Sequence, residues 1–216
     1  MLYEIVKRMI DIVLSLVLMV IFSPVMIVTA IIIKLTSPGP VLVEKSNIHM
    51  QRIGRGGRVF RLFKFRSMAV NSDYLLTKDP RFKKLYSEYK KSSFKLHEDP
   101  RVTKFGKFIR KYSIDETPQF FNVLKGDMSV VGPRPYHADE LEEQQKRYPG
   151  TEKYVRETQT VKPGITGFWQ VTGRSNINFD KRIQMDADYA NKKSLLMDLL
   201  IIVKTPIAMV SGVGAV

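Results

Sequence analysis

From Ile12 to Ile33 the chain runs 22 residues without a formal charge, enough to cross a bilayer core of about 30 Å as a helix. It is too long for the apolar region of a signal peptide, and no small-residue cleavage site follows. On length alone a plain single-span anchor fits. Two features favour a hairpin. Pro24 lies near the middle, where it removes a helical donor and clashes with the preceding turn, and Ser23 can bond a carbonyl freed there. Cations stand at both ends, Lys7 and Arg8 before and Lys34 after. Lys and Arg prefer the cytoplasmic side, so a segment that enters and leaves by one face suits them better than a span.

The rest of the chain is strongly basic: 35 Lys and Arg against 21 Asp and Glu, a net charge of +14. That asks for an anionic partner, whether nucleic acid, a phosphorylated ligand or an anionic membrane surface. With no cysteine and three histidines far apart in sequence, disulfides and thiolate metal sites are excluded and a histidine zinc site is not expected. At 216 residues the chain is one domain, or one domain plus an appendage.

Ser37-Pro38-Gly39-Pro40 reads as the turn that ends the membrane segment. Val41 to Glu44 and Val59 to Phe65 read as short strands around the turn-rich 54–57. From Lys45 to Ser72 there are seven cations and no acid, with Arg52, Arg55, Arg58, Arg61 and Lys64 at every third position. Following a membrane segment, most of this run is expected to meet anionic headgroups. Gly54-x-Gly56 is no dinucleotide fingerprint, since the third glycine and the following helix are missing. Helices are expected over Arg81–Lys91, Thr117–Leu124, Ala138–Tyr148 (its carboxylates solvated) and Phe179–Lys192. Leu195–Met209 is apolar but broken by Asp198, Lys204 and Pro206, and reads as an amphipathic helix lying on the membrane or the core.

The chemistry centres on Asp115 and Glu116. Five cations precede them, Arg101, Lys104, Lys107, Arg110 and Lys111, and a Pro133-Arg134-Pro135 turn follows. Ser113 and Glu116 also fit a capping box, S-x-x-E, which alone would explain carboxylates at a helix start. Carboxylates beside fixed cations can equally attack a phosphate and hold its charge. An Asp at a helix start beside Arg110 is expected to have a low pKa and stay ionised. The two prolines restrict the backbone around Arg134, so its fork can be pre-aimed.

The segment SIDETPQFFNVLKGDMSVVGPRP resembles the signature of the bacterial sugar transferases, the small monotopic phosphoglycosyl transferases. The resemblance extends, in family order, over nearly the whole chain: Ser23-Pro24, Ser37-Pro38-Gly39-Pro40, Lys64-Phe65-Arg66-Ser67-Met68, Asp99-Pro100-Arg101-Val102-Thr103, Pro163-Gly164-Ile165-Thr166-Gly167, Gly173-Arg174-Ser175 and Asp186-Ala187-Asp188-Tyr189. It implies a mixed, helix-rich α/β protein with a small sheet. The protein would be monotopic, with residues 1–36 a re-entrant helix broken at Ser23-Pro24. Residues 37–216 would form a catalytic domain with amphipathic interfacial helices, on the cytoplasmic face of the bacterial inner membrane.

The implied reaction moves a phosphosugar from a UDP-sugar to undecaprenyl phosphate, releasing UMP, in the first membrane step of surface polysaccharide assembly. Asp115 matches the nucleophile that forms a phosphosugar-aspartyl intermediate, and Glu116 the residue that helps hold Mg²⁺. Lys64, Arg66, Arg110, Arg134 and Arg174 match phosphate-binding positions. Asp186 matches an acid near the nucleotide, with an ion pair to Arg182 as its alternative. The long insert between Met68 and Arg101 and the tail Gly212-Val213-Gly214-Ala215 resemble the undecaprenyl-phosphate galactose or glucose phosphotransferases, so UDP-galactose or UDP-glucose is the expected donor. No nucleic acid partner is implied, and a homodimer is left open.

Overall fold

A computed structural model describes residues 2–43, 50–70, 72–91, 96, 99–173 and 177–210. Helix α1 (Leu2–Thr36) takes up the whole apolar segment and its flanks. Among the described residues it is the one helix long and apolar enough to cross a membrane. The helix is not interrupted where the sequence predicts a break. Pro24 has no N–H, so the carbonyl of Val20 loses its helical donor; the Ser23 hydroxyl donates to that carbonyl instead, at 2.8 Å. The Ser-Pro pair thus satisfies the freed carbonyl without leaving the helix.

A narrow inner side of α1 is buried, comprising Asp11, Ser15, Thr29 and Ile33. Val13, Val20, Ile21, Val28 and Ile31 are each more than half exposed, a pattern that suits lipid rather than water. Both ends of α1 hold the same body. At the N-terminal end, Asp11 accepts from Ser129 Oγ and the backbone N–H of Val130, both at 2.9 Å. Arg8 donates to the carbonyls of Val123 and Leu124 at 2.6 and 2.8 Å. These lie in the last turn of α5 (Gln119–Lys125), whose orphan carbonyls and negative dipole end favour a cation. Lys7 pairs with Asp198 at 2.9 Å. At the other end, Ile33 packs with Phe65 and Ile109.

The first pair of strands is β1 (Gln51–Ile53) and β2 (Val59–Arg61), antiparallel with Arg52 opposite Phe60. Of the strand expected over Val41–Glu44, one bridge is seen, Leu42 with Phe65. Helices α2 (Ser72–Lys78) and α3 (Lys83–Lys91) lie within the long insert. They are followed by α4 (Lys104–Lys111), whose N-terminus is capped by the Thr103 hydroxyl accepting from Gly106 N–H at 2.8 Å.

A second pair, β3 (Ser129–Val131) with β4 (Gly164–Thr166), is parallel. Close backbone approach there requires glycine: a Cβ on Gly164 would sit 2.1 Å from the nitrogen of Gly132. Helices α6 (Ala138–Arg147) and α7 (Glu152–Thr158) lie between these two strands in the chain and α8 (Phe168–Thr172) follows them, while α1 and α5 pack against β3. Helix α9 (Phe179–Lys192) has the predicted bounds, and α10 (Leu195–Val210) continues through Pro206. In α10, Ile201 is buried while Leu196, Leu199, Val203 and Ile207 form an exposed stripe.

The main core joins Leu62, Val123, Met128, Val131, Tyr189 and Ile201, and burial of each such side chain is worth about 1.5–3 kcal/mol. Asp198 ties α1, α9 and α10 together, accepting from Tyr3 (3.0 Å), Lys7 (2.9 Å) and Tyr189 (2.6 Å).

Candidate active site

Lys64 is held on a stretch of backbone stitched from several sides. The Phe63 N–H donates to Asn122 Oδ1 (2.9 Å), and Asn122 Nδ2 returns a bond to the Arg61 carbonyl (2.7 Å). Asn122 is fully buried, so it substitutes for a neighbouring strand. The Phe65 N–H donates to the carbonyl of Asp115 at 2.9 Å. These bonds set the Lys64 side chain over the carboxylate pair. Its Nζ is 2.9 Å from Asp115 Oδ2 and 3.4 Å from Glu116 Oε1.

Asp115 and Glu116 sit in a single 3₁₀ turn, Ile114–Glu116, between α4 and α5. The capping box predicted from Ser113 and Glu116 does not form. Ser113 is left-handed (φ 55°), and its side chain makes no cap bond. That αL residue breaks the chain away from α4 and turns the two carboxylates toward Lys64.

The two acids differ. The Asp115 side chain is 2 % exposed and that of Glu116 is 38 %. Burial pushes the Asp115 carboxyl above its ordinary value, against the pull of Lys64 and with a further push from Glu116. The low pKa predicted from a helix start is therefore not what the geometry supports: desolvation outweighs the cations. Arg110, in the last turn of α4, favours the charged form less than Lys64 does. For Glu116, burial also pushes upward, but Lys64 and Arg134 outweigh it and the net shift is down.

Arg134 projects from the turn after β3. Its backbone N–H donates to Asp186 Oδ2 at 3.3 Å, and its guanidinium carbon lies 6.0 Å from the Tyr136 ring centre. Asp186 is fully buried and also accepts from Trp169 Nε1 at 3.0 Å. Burial pushes its carboxyl up to about 8, with the bonds from Arg134 and Trp169 pulling the other way. Asp186 thus holds the Pro-Arg-Pro turn from beneath. Arg182, offered as its ion-pair partner, lies over the Trp169 ring at 4.9 Å.

Arg66 and Arg174 were also expected at the phosphates. Arg66 is buried, and its guanidinium clamps the turn after α1. It donates to the carbonyls of Ser37 (2.9 Å), Pro38 (2.6 Å) and Pro40 (2.7 Å) and to Ser37 Oγ (2.8 Å). Those bonds give Arg66 a structural place in the turn after α1. Arg174 lies outside the described residues.

The basic run is also less of a lipid-facing edge than predicted. Arg52 is buried, bonds His137 Nδ1 at 2.7 Å and feels Glu140, Arg134 and Glu116. Its pKa is brought down by burial to about 10. Arg55 and Arg58 stay exposed, and Arg61 donates to the Val43 carbonyl at 2.5 Å. Glu140, expected to be solvated, is buried as well. Arg52, Asn122 and Glu140 are the site-forming residues that pattern reading overlooked.

Among the described residues no three His, Cys, Asp or Glu side chains gather as a metal cage. The protein offers a hard carboxylate pair, which fits an ion such as Mg²⁺ that takes one or two carboxylates and leaves its other positions to substrate phosphates and water.

Residues 2–212 match the family model described as bacterial sugar transferase. The undecaprenyl-phosphate galactose phosphotransferase of Salmonella typhimurium is 43 % identical over 213 residues, 97 % of this chain and 41 % of that protein. The UDP-glucose:undecaprenyl-phosphate glucose-1-phosphate transferase of Xanthomonas campestris is 37 % identical over 210 residues, 95 % of this chain and 39 % of that one. The exopolysaccharide production protein ExoY of Rhizobium meliloti is 36 % identical over 199 residues, 92 % of this chain and 83 % of its own length. The chain thus spans about two fifths of the first two relatives and most of the third. It belongs to the bacterial sugar transferase family.

Proposed function

We propose that this chain transfers a phosphosugar from a UDP-sugar to undecaprenyl phosphate at the cytoplasmic face of the inner membrane, starting a surface polysaccharide. UDP-galactose or UDP-glucose is the proposed donor class, supported by the names of relatives. The observation that carries the reading is the bridge from Lys64 Nζ to both Asp115 and Glu116.

Asp115 is the proposed nucleophile. It is buried beneath Lys64, which keeps its carboxylate paired. The donor's diphosphate competes for the ammonium; as Lys64 shifts to the incoming phosphate, Oδ2 is uncovered and loses its closest cation. An Asp115 oxygen attacks the sugar-bearing phosphorus, and the bond to the UMP oxygen breaks, its electron pair leaving with UMP. An oxygen of undecaprenyl phosphate then attacks the same phosphorus and returns the Asp115 carboxylate. The cations Lys64, Arg110 and Arg134 hold the phosphate oxygens as charge moves. Glu116, the more exposed acid, would hold Mg²⁺, which when bound supplies charge neutralisation at the diphosphate.

Residues 1–36 form the membrane-inserted part in this reading and 37–216 the catalytic part. Support for a re-entrant segment comes from both ends of α1 gripping one body: Lys7, Arg8 and Asp11 at one end, Ile33 at the other. One body held at both ends of α1 is what a segment that enters and leaves by one face would give. The test is UMP release from a panel of UDP-sugars, with and without undecaprenyl phosphate. Sustained release that needs the lipid and prefers UDP-galactose or UDP-glucose is expected. No release from any member of the panel would refute the assignment.

A further inference from the structure

Two segments that carry phosphate-binding cations meet at one hydrogen-bonded seam. Strand β2 runs on into Lys64, and β1 pairs with β2 with Gln51 opposite Arg61. The Leu62 N–H donates to the Met50 carbonyl at 2.8 Å, which carries that pairing toward Lys64. The other edge of β1 meets the segment that follows Arg134. There the Ile53 N–H donates to the Tyr136 carbonyl at 3.0 Å, and Arg52 Nη1 lies 2.7 Å from His137 Nδ1. Arg52 thus stands between the strand of Lys64 and the turn of Arg134.

The Arg52–His137 contact can run only one way. A guanidinium has donors and no acceptor, so the imidazole nitrogen accepts. His137 is then neutral, with its proton on Nε2. A proton on Nδ1 would set two donors against each other, and a charged ring would set two cations face to face. The local structure agrees. His137 is the N-cap residue of α6, where a side chain ordinarily accepts from the first turn, yet it makes no cap bond; its ring is turned to Arg52 instead. Arg52 is buried, so loss of that acceptor removes a charge-assisted bond where water reaches poorly. The charged and titratable groups around the pair come from several elements: Glu140 of α6, Arg134, Glu116 of the 3₁₀ turn and Tyr89 of α3, with Asp186 and Arg182 of α9 beyond Tyr136. The acids favour an added proton on the ring, and the arginines oppose it.

We propose that His137, neutral and protonated on Nε2, is a positioning residue: by accepting from Arg52 it locks the Pro-Arg-Pro turn to the strand that leads to Lys64, and so fixes the spacing of two cations that take the donor's phosphates. The effect on transfer rests on the function proposed above; the protonation state of His137 does not.

The full chain, carrying ¹⁵N-labelled histidine in lipid nanodiscs at about pH 8, reports the ring by NMR. The signal of His137 is told from those of His49 and His97 by its loss in His137→Asn. A neutral ring protonated on Nε2 is expected. A ring protonated on Nδ1, or a charged one, would overturn the proposal whatever the activity. In the second arm, kcat and the KM for the UDP-sugar are followed from about pH 8 down to about pH 5.5. In His137→Asn the amide oxygen stands where Nδ1 stood and takes up no proton. This variant should match the wild-type KM at the upper end and escape the rise in KM that the wild type shows as its ring charges. His137→Phe keeps a ring without an acceptor; its KM should be about tenfold higher throughout, with kcat within about twofold. One KM profile shared by wild type and His137→Asn, or a wild-type KM in His137→Phe, would overturn the proposal. Wild-type protein that releases no UMP would refute the function above instead, and the ring measurement would still decide this one.

Discussion

Lys64 Nζ lies 2.9 Å from Asp115 Oδ2 and 3.4 Å from Glu116 Oε1, so one ammonium serves two adjacent carboxylates. Lys64 is a main force pulling each of those carboxyls down against burial. Replacing it with Met removes the charge and keeps much of the apolar stem. Transfer should fall by about a hundredfold or more, as for loss of a charge-stabilising donor. The acid limb of the residual pH–rate profile should also move upward, because Asp115 loses the cation that favours its ionised form. An unmoved acid limb would show that Lys64 does not govern the charge of Asp115.

Asp186→Asn tests the buried acid under the Pro-Arg-Pro turn. In the folded protein its carboxyl is raised to about 8, whereas an unfolded aspartate titrates near ~3.9. The folded state therefore holds the extra proton between those values. This contribution to stability is full below the unfolded value and lost as pH rises through about 8. Thermal unfolding from roughly pH 5 to 8 should show a falling Tm in the wild type and a flatter profile in Asp186→Asn. Identical slopes would mean that Asp186 is not held protonated.

Gly106→Ala should destabilise the protein by about 2–4 kcal/mol, since the added Cβ meets the Ser67 carbonyl oxygen, which cannot retreat cheaply. Thermal or denaturant unfolding measures this. A loss under about 0.5 kcal/mol, typical of surface changes, would show that α4 can move away from Ser67.

The topology of α1 can be read with single cysteines at Leu2 and Thr36, both exposed. In sealed cells a membrane-impermeant thiol reagent should reach neither. Labelling of Leu2→Cys alone would show a true span. The Ser23→Ala, Pro24→Leu double variant restores the backbone donor to the Val20 carbonyl and favours a straight helix about 52 Å long over its 35 residues. Exposure of its N-terminus outside the cell is expected, with loss of lipid-dependent transfer. Retained topology and activity would show that the Ser-Pro pair does not set the geometry.

Long, strongly patterned elements were legible in the sequence. Helix α9 has the bounds its apolar positions predict, and α6 differs by one residue at its end. The strands β3 and β4 were not, because three residues each are too few for an alternation to show. Among the carboxylates, the S-x-x-E pattern predicted a cap, and a left-handed Ser113 put the same residues to another use. The cation paired with Asp115 was also out of reach of local reading. Arg110 is five positions away in sequence, yet Lys64, 51 positions away, makes the contact. In the same way, Arg52 shares its spacing with exposed Arg55 and Arg58, and only the fold separates a buried cation from solvated ones.

A hard divalent ion belongs to the proposed reaction, with Glu116 as its proposed ligand from the protein. Transfer should stop in excess EDTA and return with Mg²⁺ or Mn²⁺, and Glu116→Gln should need more metal at little cost in Tm. Full activity in EDTA would contradict this.

The central claim is that Asp115 carries the phosphosugar between donor and lipid. Wild-type protein and Asp115→Asn are each incubated with a donor labelled in the sugar-bearing phosphate, without lipid, then quenched and separated from free nucleotide. The account predicts label bound to the wild-type chain, its discharge when undecaprenyl phosphate is added, and neither label nor more than about a thousandth of the transfer rate in the folded Asn variant. Label retained on Asp115→Asn, or near-normal transfer by it, would contradict the account.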